Sequence, residues 1–454
     1  MAELIVKLKQ HTPIIQFQHY QKGATLRASE LKPKLDKFLI AKFKSQGIDY
    51  KKWLIGDGKH PALNYKVKVI PNKNIDYFLP LPLKLDPRSK RSTNLVKYLR
   101  KKLKINIKIL APSPFFGNSD KIRFNGNKVN SNRTQVDSLI LAIYSTDEIQ
   151  LKFIAWDKNL LKEIEENICL FFLKNNFGMR QDKGFGSFTV SKINDKIIIL
   201  LKNNFFMRQD KGFGSFTVSK IKDKIIILDV NELRSTFIKK SNEIFNDFNQ
   251  LFTFILDEYQ LLKSGKNHPV YQKSKLFEYF IEKHNIRWEK RFIKQRINSS
   301  KILHKNLYFE RDPIDVENKT NNDYNDWNDH QKNTYGFIRA LLGLAEYYEF
   351  LVDDYGNPDR NYKYVVSIKH KPKPNKEKIE RFPSPLFFKI IDGIVYLGLT
   401  DIYKEIFNEE FEFKLKLKGD KDNRENNLGS LYVPKQFDLK DFINNSISSE
   451  WINV

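Results

Sequence analysis

The chain has 454 residues, 41% of them hydrophobic, and its 79 Lys and Arg outweigh 54 Asp and Glu to give a net charge of +25. That length predicts two or three packed units rather than one core, and the surplus sets up a positive field that attracts polyanions, nucleic acid first, although lysine beside abundant Asn and Ile also follows from AT-rich coding. A single cysteine, Cys169, excludes a disulfide framework and a thiolate metal site, and no run reaches the roughly 18 apolar residues of a membrane span, so a soluble protein of a reducing cytoplasm is expected.

The first element reads as a strand, because Leu4, Val6 and Leu8 share one face and Lys7 and Lys9 the other. Pro13 in "HTPII" stops its ladder. After a loop containing Gly23, Leu31, Leu35, Phe38, Leu39 and Phe43 recur at helical spacing, with Ser29 as N-cap and Pro33 in the first turn. From Trp53 to Thr134 the composition turns to Pro, Asn and Lys, with one strand at Ile105 to Leu110, which suggests an insertion on a smaller scaffold. Two strand-like runs follow, "VDSLILAIYS" and "EIQLKFIAW", and then Leu160, Leu161, Ile164, Ile168, Phe171 and Phe172 form the stripe of a helix packed on a sheet. Asn176 or Gly178 is placed to close that helix in the left-handed conformation, and "SFTVSKINDKIIIL" reads as two strands joined by a turn at Asn194 and Asp195.

This order of strands and helices is that of a split βαβ sheet, the ferredoxin-like arrangement also used by RNA-recognition (RRM-like) modules. From about Asn231 to Arg296 the periodicity is helical, "RDPIDVENKTNNDYNDWNDHQKN" is polar and reads as a loop, and "YGFIRALLGLAEYYEFLV" reads as another helix. A basic linker, "HKPKPNKEKIE", precedes a late unit that opens at "RFPSPLFFKIIDGIVYLGL" and holds the alternating Phe411, Phe413, Leu415 and Leu417. The expected fold class is α+β: a ferredoxin-like domain over 1–230 with an insertion at about 53–134, a helical region over 231–350, and a second, smaller α/β half over 351–454.

One block is written twice. Leu173 to Leu200 returns as Leu201 to Leu228 with only two differences, Gly178 against Phe206 and Asn194 against Lys222. Two copies are too few for a solenoid, which needs about three units to bury a core, so the second copy reads as an insertion. Within one copy, Gly184 and Gly186 let the backbone adopt positive φ or come close to a ligand, and exposed N–H groups in such a turn cradle phosphate oxygens. Arg180 and Lys183 suit phosphates, and Phe185 or Phe188 offers a flat face to a base. Arg208, Lys211, Gly212, Phe213 and Gly214 repeat those roles in the second copy. A tight turn whose phenylalanines belong to the core accounts for the same residues.

Asn176-Phe177-Gly178, followed after five residues by Gly184-Phe185-Gly186, resembles the G-loop of the RAMP superfamily of CRISPR proteins, with Asn176 where a glycine is usual. "TPII" and then Leu26, Arg27, Ser29, Lys32 and Leu35 resemble the RAMP opening strand and first helix, with Pro33 and Asp36 departing from the usual glycine and arginine. "RFPSPLFFKI" is similar to the strand that opens a second half in RAMP subunits of the Cmr, or type III-B, effector complex. The resemblance implies a RAMP domain in two halves around a helical insertion, and a structural, RNA-binding subunit of a type III CRISPR ribonucleoprotein in antiviral defence. Its partners would be the CRISPR guide RNA, sibling effector subunits and, indirectly, target RNA, with no membrane, cofactor or metal. Arg27, Lys32, Arg180, Lys183, Arg208 and Lys211 would meet phosphates while Gly184 and Gly186 permit approach. The alternative is a metal-free endoribonuclease that processes CRISPR repeat RNA through His11 or His19, which flank the opening loop.

Overall fold

The computed structural model describes residues 1–16, 25–56, 61–70, 74–80, 90–110, 141–194, 196–200, 225–228, 236–266, 272–299, 307–308, 335–344, 347–354, 362–374, 376–380, 382, 384–417 and 425–454. The chain forms two units: Met1–Leu256 with Phe387–Leu399 and Ser449–Val454, and Asp257–Leu386 with Thr400–Ser448. The fold class is mixed α+β.

In the first unit, β1 (Ala2–Gln10), α1 (Ala28–Gln46), β2 (Tyr65–Ile70), β3 (Ile149–Ala155), α2 (Lys158–Lys174) and β4 (Phe188–Ile193) succeed one another among shorter elements. The four strands lie side by side as β4-β1-β3-β2, every neighbouring pair antiparallel. Alternation dictates which face is covered: Leu4, Val6 and Leu8 of β1, with Leu151 and Phe153 of β3, share a core with Leu31, Leu35, Leu39 and Phe43 of α1 and Leu160, Ile164, Ile168 and Phe172 of α2. Each such side chain contributes about 1.5–3 kcal/mol by burial, and a slip of one residue would turn a whole strand's set outward.

The helix ends differ from the expectation. Arg27, extended, is the N-cap of α1 and makes no side-chain cap bond. Ser29 is exposed inside the helix and Pro33 stands two residues further in than predicted. Helix α2 is capped by Asp157, whose carboxylate accepts from the Asn159 N–H, and it ends at an extended Asn175 rather than in a left-handed residue. There the Asn175 side chain donates to the Phe171 carbonyl and satisfies one of the last orphan acceptors.

Strand β5 (Lys196–Leu200) forms a hairpin with β4, turning at Asn194, whose φ is 50°. Next to it lies β6 (Ile225–Leu228), parallel, with Ile197 opposite Ile225 and Leu200 opposite Leu228. These are matching positions of the two copies. The rest of the second copy, including Arg208, Lys211, Gly212, Phe213 and Gly214, lies outside the described residues, as does His19. Besides a helix at Lys90–Leu103 and a small sheet in the order 14–15, 142–145, 75–80 and 107–110, the unit holds β7 (Phe237–Ser241), α3 (Phe248–Lys263, of which residues up to 256 belong here), β8 (Leu386–Ile391, of which residues from 387 belong here), β9 (Ile394–Leu399) and β10 (Trp451–Asn453). Strands β7 to β10 form a further sheet in the order β8-β9-β7-β10. The chain's late segment thus shares a unit with its beginning, and β7 interrupts the region read as helical.

The second unit holds a five-stranded sheet in the order 307–308, 347–354, 362–371, 410–417 and 425–432, with helices at Lys275–His284, Glu289–Ser299 and Leu439–Ser446. "YGFIRALLGLAEYYEFLV", read as a helix, is instead a short 3-10 turn at Ile338–Leu342 followed by the strand Tyr347–Asp354. Gly343 breaks it at φ +101°, and the run rich in Tyr, Phe and Val that follows favours a pleated surface. Phe337 packs edge-on against Phe411 and Phe413, at ring distances of 5.2 and 5.3 Å. Among the described residues no helix is long and apolar enough to cross a membrane.

Candidate nucleic-acid interface

The glycine loop of the first copy joins α2 to β4. Its two clusters form a neck: the Phe177 N–H donates to the Gly186 carbonyl at 3.0 Å, and Asn176 bridges Ser187. The residues after β1 lie directly against it. Gly186 N–H donates to Pro13 O, Met179 N–H to Ile15 O and His11 N–H to Ser187 O, while the Thr12 hydroxyl donates to Gly184 O at 2.6 Å. The "HTPII" segment and the glycine clusters are therefore one hydrogen-bonded assembly.

The glycines serve that assembly. Gly178, Gly184 and Gly186 have φ of +80°, +84° and +64°, a region other residues avoid. A Cβ on Gly186 would stand 1.9 Å from the Phe177 carbonyl oxygen, and one on Gly184 would stand 2.3 Å from Ile390 Cδ1. The close approach that the sequence reserved for a ligand is an approach to the protein's own backbone and core. The aromatic expectation is corrected likewise: Phe185 and Phe188 are 0% exposed. Phe185 stacks on Phe252 with ring centroids 4.2 Å apart, and Phe188 packs on Phe177, so neither offers a face to a base.

Polar groups gather at the loop's rim. The Gly178 N–H donates to Glu30 Oε1 at 2.8 Å, which brings the loop to the first turn of α1. Lys34, also on α1, donates to Glu30, to the Asn176 carbonyl and to Gln181 Oε1. Gln181 is exposed, and Arg180 is partly so, at a left-handed φ of 58°. Burial pushes the Arg180 pKa down to about 10 against the opposing pull of Asp182, so its guanidinium is charged at neutral pH. Arg27 stands at the N-cap of α1, half-buried, and its Nη2 finds no hydrogen-bond partner among the described residues.

Two predicted phosphate contacts are occupied internally. Lys32 is bonded to Asp36 at 2.7 Å and to the Leu63 carbonyl at 2.9 Å, and it lies over the Tyr65 ring. Lys183 is buried, 6% exposed, with its ammonium 2.9 Å from Asp182. His11, the described member of the alternative catalytic pair, is equally engaged: its Nδ1 accepts from the Asp392 N–H and its Nε2 lies 2.7 Å from the Thr189 hydroxyl, with 8% of the residue exposed. Both nitrogens that proton transfer would need are held in internal bonds.

The residue that the sequence reading missed is Lys389. It lies in β8, fully buried, and its Nζ donates to the carbonyls of Phe172 at 2.6 Å, Asn175 at 2.9 Å and Phe188 at 2.9 Å, and to Asn176 Oδ1 at 3.1 Å. Burial pulls its pKa well below the ordinary lysine value, while oxygens on every side resist by accepting from the charged form. Beside it, Asn176 Nδ2 donates to the Phe388 carbonyl and the Ser187 hydroxyl to that of Ile390. The base of the loop is thus pinned by a strand from the far end of the chain. The available signal was a lysine inside the apolar run "LFFKII".

Comparison with known proteins gives two family matches that together span most of the chain. The Cmr1 N-terminal domain matches residues 1–202 and 198–266, dividing within the duplicated block, and the Cmr1 C-terminal domain matches residues 271–453. No curated protein matches. Among solved structures, a chain of a type III-B Cmr-beta complex bound to cognate target RNA is 11% identical, covering 87% of this chain and 94% of that one at a TM-score of 0.35. A chain of the same kind of complex with target RNA and AMPPnP, in the presence of ssDNA, is 10% identical, with 87% and 93% covered at a TM-score of 0.32.

Proposed function

Since the chain belongs to the Cmr1 family and is a RAMP subunit of the type III-B Cmr kind, we propose that it binds the CRISPR guide RNA within the cytoplasmic effector ribonucleoprotein, as a structural rather than a cleaving component. Its first sheet is then the ferredoxin-like RAMP core, a reading supported by the order β4-β1-β3-β2 with both helices on one face. Sibling subunits are its protein partners, and target RNA is met through the paired guide.

The observation that carries the proposal is the rim where the glycine loop meets the start of α1. Half-buried Arg27, whose Nη2 is buried without a hydrogen-bond partner among the described residues, and the partly exposed Arg180 stand there. The N-terminus of a helix adds its own partial positive charge, and backbone N–H groups of its first turn suit phosphate oxygens. The glycines act one step back, by allowing the loop to fold against residues 11–15 and hold Arg180 in place.

Titration of the full-length protein with single-stranded RNA at several salt concentrations tests this. Each lost phosphate contact lowers the slope of log K against log salt by about 0.7 for a single strand, so Arg27→Gln with Arg180→Gln is expected to flatten it by about 1.4. An unchanged slope and affinity would remove the rim from the interface.

A further inference from the structure

The opposite face of the first sheet carries charge that its own neighbours leave unbalanced. With Leu4, Val6 and Leu8 in the core, alternation turns Glu3, Ile5, Lys7 and Lys9 of β1, Gln150, Lys152 and Ile154 of β3, and Lys66, Lys68 and Ile70 of β2 to the other side. The register sets Lys68 directly opposite Lys152 and Lys7 directly opposite Lys192. Like charges facing each other across strands destabilise a sheet, and a fold that keeps two such pairs on one face breaks a local rule there, as functional surfaces do. Lys152 is paired with Glu3 at 2.7 Å, Lys192 lies 3.9 Å from Glu148, and Lys9 lies 2.8 Å from Asp392. Lys7, Lys66 and Lys68 make no ion pair among the described residues.

A second observation lies at the end of the same face. Trp156 directly follows β3, in phase with Lys152 and Ile154, and is 74% exposed, whereas the other described tryptophans, Trp53, Trp288 and Trp451, are 4%, 2% and 6% exposed. An indole left in water on this lysine-bearing face is apolar surface waiting for a flat partner.

We propose that this face binds single-stranded nucleic acid, with Lys7, Lys66 and Lys68 on successive phosphates and Trp156 stacked on an unpaired base. A strand whose charges repeat and whose bases each present a π-face fits a row of lysines that ends in an exposed aromatic ring. A duplex does not fit, because its bases are already stacked. The surface is separate from the loop rim and does not depend on it.

The test uses the full-length protein, U20 RNA as the probe and a paired 20-mer RNA as control, with binding followed by anisotropy across salt concentrations. Trp156→Ala is expected to weaken U20 binding about 5- to 150-fold, the equivalent of about 1–3 kcal/mol for one stacked base, and to leave duplex binding unchanged. Lys66→Gln with Lys68→Gln is expected to flatten the salt slope by about 1.4, at about 0.7 per contact. All three positions are exposed, and thermal unfolding at the wild-type temperature verifies that the variants fold. A dU20 probe bound equally well would place recognition in phosphates and bases, within the proposal. It is overturned if both variants bind U20 with wild-type affinity and slope. It is also overturned if they lose sibling subunits while RNA affinity is unchanged, which would make the face a protein interface.

Discussion

Replacing Lys389 with methionine keeps an unbranched apolar stem as far as Cε and removes the ammonium. In the wild-type protein that group serves four buried acceptors, the carbonyls of Phe172, Asn175 and Phe188 and Asn176 Oδ1. An ammonium has three protons, so three full bonds are lost, and each acceptor left buried without a donor costs about 1–3 kcal/mol. Against this, methionine avoids the several kcal/mol of dehydrating a cation. The net expectation is a loss of about 2–5 kcal/mol, in line with the removal of one partner from a buried charged network. At about 2–4 °C per kcal/mol for a domain of 150–250 residues, the unfolding midpoint followed by circular dichroism falls by about 4–20 °C. A pH signature accompanies the loss. Because the folded pKa of Lys389 lies well below its ordinary value, the unfolded chain binds more protons between that lowered value and about 10.4. Wild-type stability therefore rises with pH across that window, and its Lys389 component is lost as pH falls through the folded value. Lys389→Met lacks this component. A variant as stable as the wild type, with the same pH profile, would refute the claim that this lysine pins the loop.

Gly186→Ala is expected to destabilise by more than about 2 kcal/mol in urea unfolding, because the new methyl meets the Phe177 carbonyl at 1.9 Å as well as a positive φ. Gly47→Ala, with φ +68° and open space around it, carries only the backbone penalty of about 1–2 kcal/mol. In the second unit, burial raises the pKa of Glu409, but hydrogen bonds from Lys376 and His370 outweigh it and set the carboxyl below its ordinary value. That contribution is whole above about pH 4.3 and is lost as pH falls through the lowered value. Stability measured from pH 6 downward should decline more gently in Glu409→Gln than in the wild type.

The sheet at the heart of the first unit was legible because its signal is local. Leu4, Val6 and Leu8 alternate with lysines, the stripe from Leu160 to Phe172 has helical period, and connection order restricts how such elements pair. The helix-to-strand error at Tyr347–Asp354 has an equally local cause. "AEYYEFLV" fits both periods in a short window, and what decided it was the neighbouring strand Tyr362–Lys371, which pairs with it. The loop was legible as a place but not as a mechanism. A glycine reports that a Cβ is not tolerated, not what that Cβ would strike. For Gly184 the obstacle is Ile390, and for Phe185 the stacking partner is Phe252, both remote in sequence.

The duplicated block shows the same division between what a string of letters states and what folding adds. Its period is plain in the sequence, yet the pairing of β5 with β6 in parallel, Ile197 on Ile225 through Leu200 on Leu228, is a property of what those letters are. In-register parallel pairing sets each residue beside its own duplicate, which suits Ile and Leu and would penalise charge. A copied "IIIL" can therefore dock beside its original at the edge of the sheet without redesign. A duplication of this kind is accommodated where it lands on a sheet edge.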